Sequence, residues 1–178
     1  MKKKIKNNFN KIGILGGTFD PPHEGHLYIS KKAIKKLKLD KIIWIVTKKN
    51  PLKKNPYLSK RIRIKLCKNF IKKQKKISVN NLNISIKSDD TFSLLKYFKK
   101  KYKGKKLFFL MGADNLINFH KWKNWKKIPS VATIIVFARL NYSARALKSV
   151  AAKGLEKKDW LYIAGKKINI SSSLIRKF

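Results

Sequence analysis

The sequence predicts an α/β fold, a parallel sheet with helices on both faces, and three observations predict it. Continuous apolar runs recur at residues 12–15, 42–46, 107–111 and 133–137. Strands buried on both faces read this way, whereas half-exposed strands alternate apolar with polar residues. Stretches with apolar residues at helical spacing lie between these runs, and such alternation of strand and helix marks βαβ units. The first run also ends in two glycines, Gly16 and Gly17, ahead of a helical stretch, the strand–turn–helix order of a Rossmann-like unit. With 178 residues and 43% hydrophobic content the chain can enclose a core, and residues 1–178 read as a single domain.

The elements follow in order. Residues 12–15 form the first strand and residues 24–39 a helix, with Leu27, Ile29, Ala33, Ile34 and Leu37 facing inward. Residues 42–46 are a buried strand, followed by a polar loop carrying Pro51 and Pro56. A helix spans residues 59–72 with Ser59 as its N-cap, since a serine hydroxyl accepts from the free N–H groups of a first turn. Residues 77–86 read as a broken strand, and Asp89 or Asp90 opens a helix carrying Phe92, Leu95, Tyr97 and Phe98. Strands at 107–111 and 133–137, a helix over 144–155, a short strand at 160–164 and a terminal helix from Ser171 complete the chain.

Composition bounds the function. The formal net charge is +38, from 46 Lys and Arg against 8 Asp and Glu, a balance that on its own points to nucleic acid or anionic membranes. The cations are nearly all lysine, with arginine only at Arg61, Arg63, Arg139, Arg145 and Arg176, and they are spread along the chain. Asparagine and isoleucine are abundant too, the composition of an AT-rich coding sequence. Most lysines therefore read as a solvated face, with nonspecific, salt-sensitive nucleic-acid association as the remaining consequence. The single Cys67 excludes an intramolecular disulfide and lies in a helical pattern as core filler. The apolar run after the basic residues 1–11 is too short for a signal peptide, and no run approaches the roughly 20 apolar residues of a membrane span. A cytoplasmic setting is the reading.

The chemistry concentrates in Gly16-Gly17-Thr18-Phe19-Asp20-Pro21-Pro22-His23-Glu24-Gly25-His26. Glycine lets backbone N–H groups approach an anion closely, and the helix start beyond offers free N–H groups and a positive dipole end. Two imidazoles at that spot point to phosphate handling. A histidine flanked by phosphates can hold its proton, which suits an electrostatic stabiliser. The structural alternative is a βα turn with one histidine capping the helix and the other solvated.

The string resembles the GGTFDPxHxGH signature of the bacterial nicotinate mononucleotide adenylyltransferases, in the HxGH nucleotidyltransferase superfamily. Ile170-Ser171-Ser172-Ser173-Leu174-Ile175-Arg176 resembles that superfamily's ISSTxIR motif, and Met111-Gly112-Ala113-Asp114-Asn115-Leu116 with Trp122 and Trp125 also looks like the family. The likeness spans residues 12–176. It implies a nucleotidyltransferase-type fold, with residues 165–178 as a C-terminal phosphate-binding motif and short helix. It implies transfer of the adenylyl group of ATP to nicotinate mononucleotide in NAD biosynthesis, giving deamido-NAD and pyrophosphate, with Mg²⁺ on the phosphates and no protein metal ligands. Pantetheine-phosphate adenylyltransferase is the weaker match, because that family has threonine where His23 stands and lacks the Gly112–Trp122 segment. A cytidylyltransferase is further away, and a basic RNA-binding protein would show clustered arginines or aromatic-interleaved basic patches.

By the resemblance His23, His26 and Arg176 are catalytic. Gly16, Gly17, Thr18, Phe19, His23, His26, Gly112, Asp114, Ser171, Ser172, Ser173 and Arg176 bind ATP, with the backbone of residues 17–19 holding the nucleotide. Lys53, Thr91 and Trp122 bind the acceptor: phosphate, carboxylate and pyridine ring respectively. Asp20 reads as a turn former beside Pro21, Asp114 alternatively as a cap for residues 115–119, and Trp125 as core. Ser173 replaces the family's threonine and keeps the hydroxyl. The chain ends at Phe178, two residues after Arg176, where that family continues the helix.

Overall fold

The computed structural model describes residues 10–48, 55–80, 91–165 and 172–176. Six parallel strands form one sheet: β1 (Lys11–Gly17), β2 (Lys41–Val46), β3 (Ile77–Asn80), β4 (Lys106–Gly112), β5 (Thr133–Phe137) and β6 (Trp160–Ile163). Their order is β3-β2-β1-β4-β5-β6, so the winding reverses between β1 and β4. In open sheets of this kind the crevice at the reversal, beyond the carboxyl ends of the strands, is where ligands bind.

Period-two alternation along the strands divides the core. Ile12, Ile14, Ile43, Ile45, Phe109 and Met111 face one side, against Leu95 and Phe98 of α3 (Thr91–Lys101) and Leu116 of α4 (Ala113–Ile117). Leu15, Ile42, Trp44, Val46 and Leu110 face the other, against Leu27 and Ala33 of α1 (Glu24–Leu37) and Ile64 and Cys67 of α2 (Lys60–Phe70). Both sides are apolar, which is why the strands read as unbroken apolar runs. Cys67 is fully buried, and burial pushes its thiol up to about 12, the behaviour of packing rather than of a nucleophile.

Helix bounds differ from the sequence reading, the second helix covering Lys60–Phe70 where residues 59–72 are expected. The first ends at Leu37, because Lys38 turns into the left-handed region (φ 53°) and Leu39 drops into the core. The stretch 144–155 is two helices, α5 (Ser143–Leu147) and α6 (Val150–Gly154). Ser149 breaks it: its hydroxyl accepts from the Ala152 N–H at 3.2 Å and starts a new helix. Among the described residues the last helix, α7, covers Ser172–Ile175. Ser59 caps α2 as read, accepting from the Ile62 N–H. No helix among the described residues is long and apolar enough to cross a membrane.

Candidate active site

The site starts at the carboxyl end of β1. Phe19 sits at φ 49°, a left-handed conformation uncommon for a bulky residue. Its ring folds back into the core, 1% exposed, stacked on Trp44 at 4.8 Å and tilted against His26 at 4.5 Å. A Cβ on Gly17 would lie 3.3 Å from that ring, so the fold-back favours glycine there. Behind the ring the Trp44 Nε1–H donates to Ser30 Oγ (2.9 Å), and the Ser30 hydroxyl donates to the His26 carbonyl (2.9 Å). Of Phe19, then, only the backbone is placed to meet a ligand.

The two histidines cap α1 together. The Gly25 N–H donates to His23 Nδ1 (3.1 Å) and the His23 N–H donates to His26 Nδ1 (3.2 Å), closing a reciprocal box with rings 3.8 Å apart. Each Nδ1 is an acceptor and carries no proton, so the ring proton of each sits on Nε2. Both histidines therefore take the capping role that the structural alternative gave to one. Burial, and secondarily the positive charge of Arg139, pull the His23 pKa down to about 4, with Asp114 opposing. His23 is thus neutral at pH 7, unlike the proton-holding histidine of the sequence reading. A proton there needs phosphate charge to offset both effects.

This depression ties stability to pH. Below about 6.5 an unfolded His23 takes up a proton that the folded one refuses down to about 4. His23's contribution is therefore intact above pH 6.5 and lost as pH falls toward 4. We expect Tm to fall on acidification through this window in the native chain and to fall less in His23→Asn, where the asparagine amide can still cap; scanning calorimetry from pH 4.5 to 8 measures it, and identical slopes would refute the assignment.

Across the crevice, Asp114 lies in the first turn of α4, whose cap is Gly112, so the reading of Asp114 as a cap is wrong. A Cβ on Gly112 would stand 2.6 Å from Asp114 Oδ1, and glycine is what leaves the carboxylate room. Asp114 Oδ2 accepts from Arg139 Nη1 at 2.6 Å, and the guanidinium lies 5.5 Å over the Tyr142 ring. Arg139 was not singled out from sequence, although it stands just past β5 where site residues gather.

Asp20 is more than a turn former. It is 2% exposed, and its carboxylate accepts from the N–H groups of Tyr57 (2.8 Å) and Leu58 (3.1 Å). Arg176 Nη1 donates to the Asp20 carbonyl and lies 3.4 Å from Oδ2, and its guanidinium sits 4.8 Å over the exposed Tyr57 ring. The Ser172 hydroxyl donates to the Pro21 carbonyl at 2.9 Å. Ser172 and Arg176 are therefore brought onto the β1–α1 turn.

Thr91 opens α3, and Trp122 follows the 3₁₀ turn Phe119–Lys121. Both lie on the sheet face opposite α1. Trp122 packs edge-on against Phe109 (6.2 Å) and Phe119 (5.2 Å). Trp125 is half-buried against Phe119 at 6.0 Å. Lys53 and Ser171 lie outside the described residues, as does the Ser173 side chain.

A sheet reversing at β1 and β4, with a histidine-capped helix and the C-terminal Ser172 and Arg176 on the turn beside it, defines a nucleotide-handling α/β protein. A cytidylyltransferase-like family model matches residues 14–178, and the chain belongs to that family. It is 48% identical over 178 residues, 98% of both chains, to the Pelagibacter ubique (strain HTCC1062) protein named "Probable nicotinate-nucleotide adenylyltransferase". It is 40% identical over 142 residues, 80% of this chain and 75% of the relative, to a protein of the same name from Ruegeria sp. (strain TM1040). Among solved structures, Plasmodium falciparum nicotinic acid mononucleotide adenylyltransferase complexed with NaAD shares the fold at TM-score 0.75 and 21% identity, covering 95% of this chain and 83% of that one.

Proposed function

We propose that the chain is a nicotinate-nucleotide adenylyltransferase, a single domain over residues 1–178 that moves the adenylyl group of ATP to nicotinate mononucleotide in NAD biosynthesis. The observation that carries the site reading is the histidine pair: both Nδ1 atoms accept backbone N–H groups, which puts the ring proton of each on Nε2 at a helix N-terminus. An oxygen of the acceptor phosphate attacks the α-phosphorus of ATP, the bond to the β-phosphate bridging oxygen breaks, and pyrophosphate leaves. The acceptor phosphate is ionised at neutral pH, so no general base is needed; catalysis is positioning plus stabilisation of developing charge. His26 and His23 donate to the α-phosphate, the backbone of residues 17–19 holds the nucleotide, and Ser171, Ser172, Ser173 and Arg176 clamp the polyphosphate. Gly112 and Asp114 serve the ATP ribose, with Arg139 orienting the carboxylate. Lys53 takes the acceptor phosphate.

Among the described residues no group of three or more His, Cys, Asp or Glu could hold a metal ion. Asp20 and Asp114 are already engaged by arginines. This donor set fits Mg²⁺ that arrives on the triphosphate with its own waters, as part of the ATP substrate. The excess lysine fits nonspecific polyanion association, and a cytoplasmic setting suits the substrates.

Specificity follows from donors. A nicotinate carboxylate is matched by the N–H groups at the start of α3 near Thr91, with Trp122 against the ring. A nicotinamide would set its own N–H donors against these. An unpaired buried polar group costs roughly 1–3 kcal/mol, so kcat/KM should favour nicotinate over nicotinamide mononucleotide by about ten- to a hundred-fold. Trp122→Ala should raise KM for both acceptors. Steady-state kinetics with the two mononucleotides test this, and equal use of both would show the carboxylate pocket to be misassigned.

A further inference from the structure

Arg63 is the one fully buried cation among the described residues, and the chemistry above leaves it unused. It stands in the first turns of α2 and is 2% exposed. Nη1 donates to the carbonyls of Thr18 and Thr47 (2.9 Å to the latter), Nη2 to that of Lys48 (3.1 Å) and Nε to that of Leu58 (3.0 Å). One planar fork thus ties together the turn after β1, the end of β2 and the approach to α2. The charge is not bare, since the Asp20 carboxylate acts on it from nearby.

The consequence lies in the peptide units. In a planar trans peptide the C=O and the following N–H point opposite ways, and among the described residues the only cis bond is Asp20-Pro21. A Thr18 carbonyl drawn onto the buried guanidinium therefore turns the Phe19 N–H away from it. The Thr47 carbonyl does the same for the Lys48 N–H. The left-handed Phe19 is then held from both sides, by its ring against Trp44 and by Arg63 on the preceding carbonyl.

We propose that Arg63 is a positioning residue, presetting the Phe19 and Lys48 N–H groups as phosphate donors. This rests on the adenylyl-transfer reading of the same site. Composition agrees: only five of the 46 basic residues are arginine, and at Arg63 the side chain serves four carbonyls. Lysine has three donors on one nitrogen and cannot span them.

The test uses the full-length ¹⁵N-labelled chain titrated with ATP, following the Phe19 amide and the His26 ring by NMR. In the native chain both should shift. In Arg63→Lys the Phe19 response should be largely lost while His26 still responds, and kcat should fall at least tenfold with KM for ATP changing much less. A native Phe19 amide that ignores ATP while His26 responds overturns the proposal even if Arg63→Lys fails to fold. So does Arg63→Lys with native kcat. If neither His26 nor Phe19 responds, the phosphate-site reading falls and takes this proposal with it.

Discussion

His26→Ala should lower kcat by about 10²–10³-fold, the usual cost of removing one donor from a site where charge develops. The loss should fall on kcat with ATP binding retained, because the proposed Nε2–H contact would strengthen as the α-phosphorus becomes five-coordinate. His26 is also half of the helix cap, since its Nδ1 accepts from the His23 N–H. Losing a cap costs about 1 kcal/mol, a few degrees of Tm at this size. His26→Asn separates the two roles: its amide oxygen can take the N–H but lacks the reach of Nε2, so Tm should recover and kcat should not. Pyrophosphate release under saturating ATP, with calorimetry alongside, decides it. A near-native kcat in His26→Ala would remove the residue from the chemistry.

Asp20→Ala should produce the largest loss of stability. Its carboxylate accepts two backbone N–H groups, meets Arg176 and offsets the buried Arg63 charge. Removing it leaves those donors and that cation uncompensated, at a cost of about 3 kcal/mol, or roughly 6–12 °C in Tm for a chain of this size. Activity should fall too, because Arg176 loses its seat on the turn. Asp20→Asn keeps an acceptor without the charge and should fall between. A Tm for Asp20→Ala within two degrees of the native value would show that the carboxylate is not the hub.

The parts of the molecule legible in the sequence were those written in local pattern. Residues 42–46 and 133–137 read as buried strands because both faces of the sheet are covered, and Ser59 read as a cap because its hydroxyl has one local partner. The turn with His23 and His26 draws the phosphate-site reading because glycines, a helix start and imidazoles coincide within eleven residues. What was hidden was long-range. Asp20 meets Tyr57 and Arg176, and Arg63 meets Thr18 and Thr47, through folding that no spacing announces. The mutual capping by two histidines was hidden too, since histidine is not a usual cap and the pairing shows only in which ring nitrogen accepts. One signal was available: in a chain so rich in lysine, Arg63, Arg139 and Arg176 each serve more than a single contact, which is what a planar guanidinium does and an ammonium does not.

The central claim is the adenylyl transfer itself, and a competition reaction tests it most directly. The purified chain is given Mg²⁺·ATP with nicotinate mononucleotide, nicotinamide mononucleotide and 4′-phosphopantetheine together, and the adenylylated products are identified by mass. Deamido-NAD should dominate, with pyrophosphate formed in equal amount. Dephospho-coenzyme A as the main product, or no adenylylated product while the chain holds RNA at high salt, would contradict it.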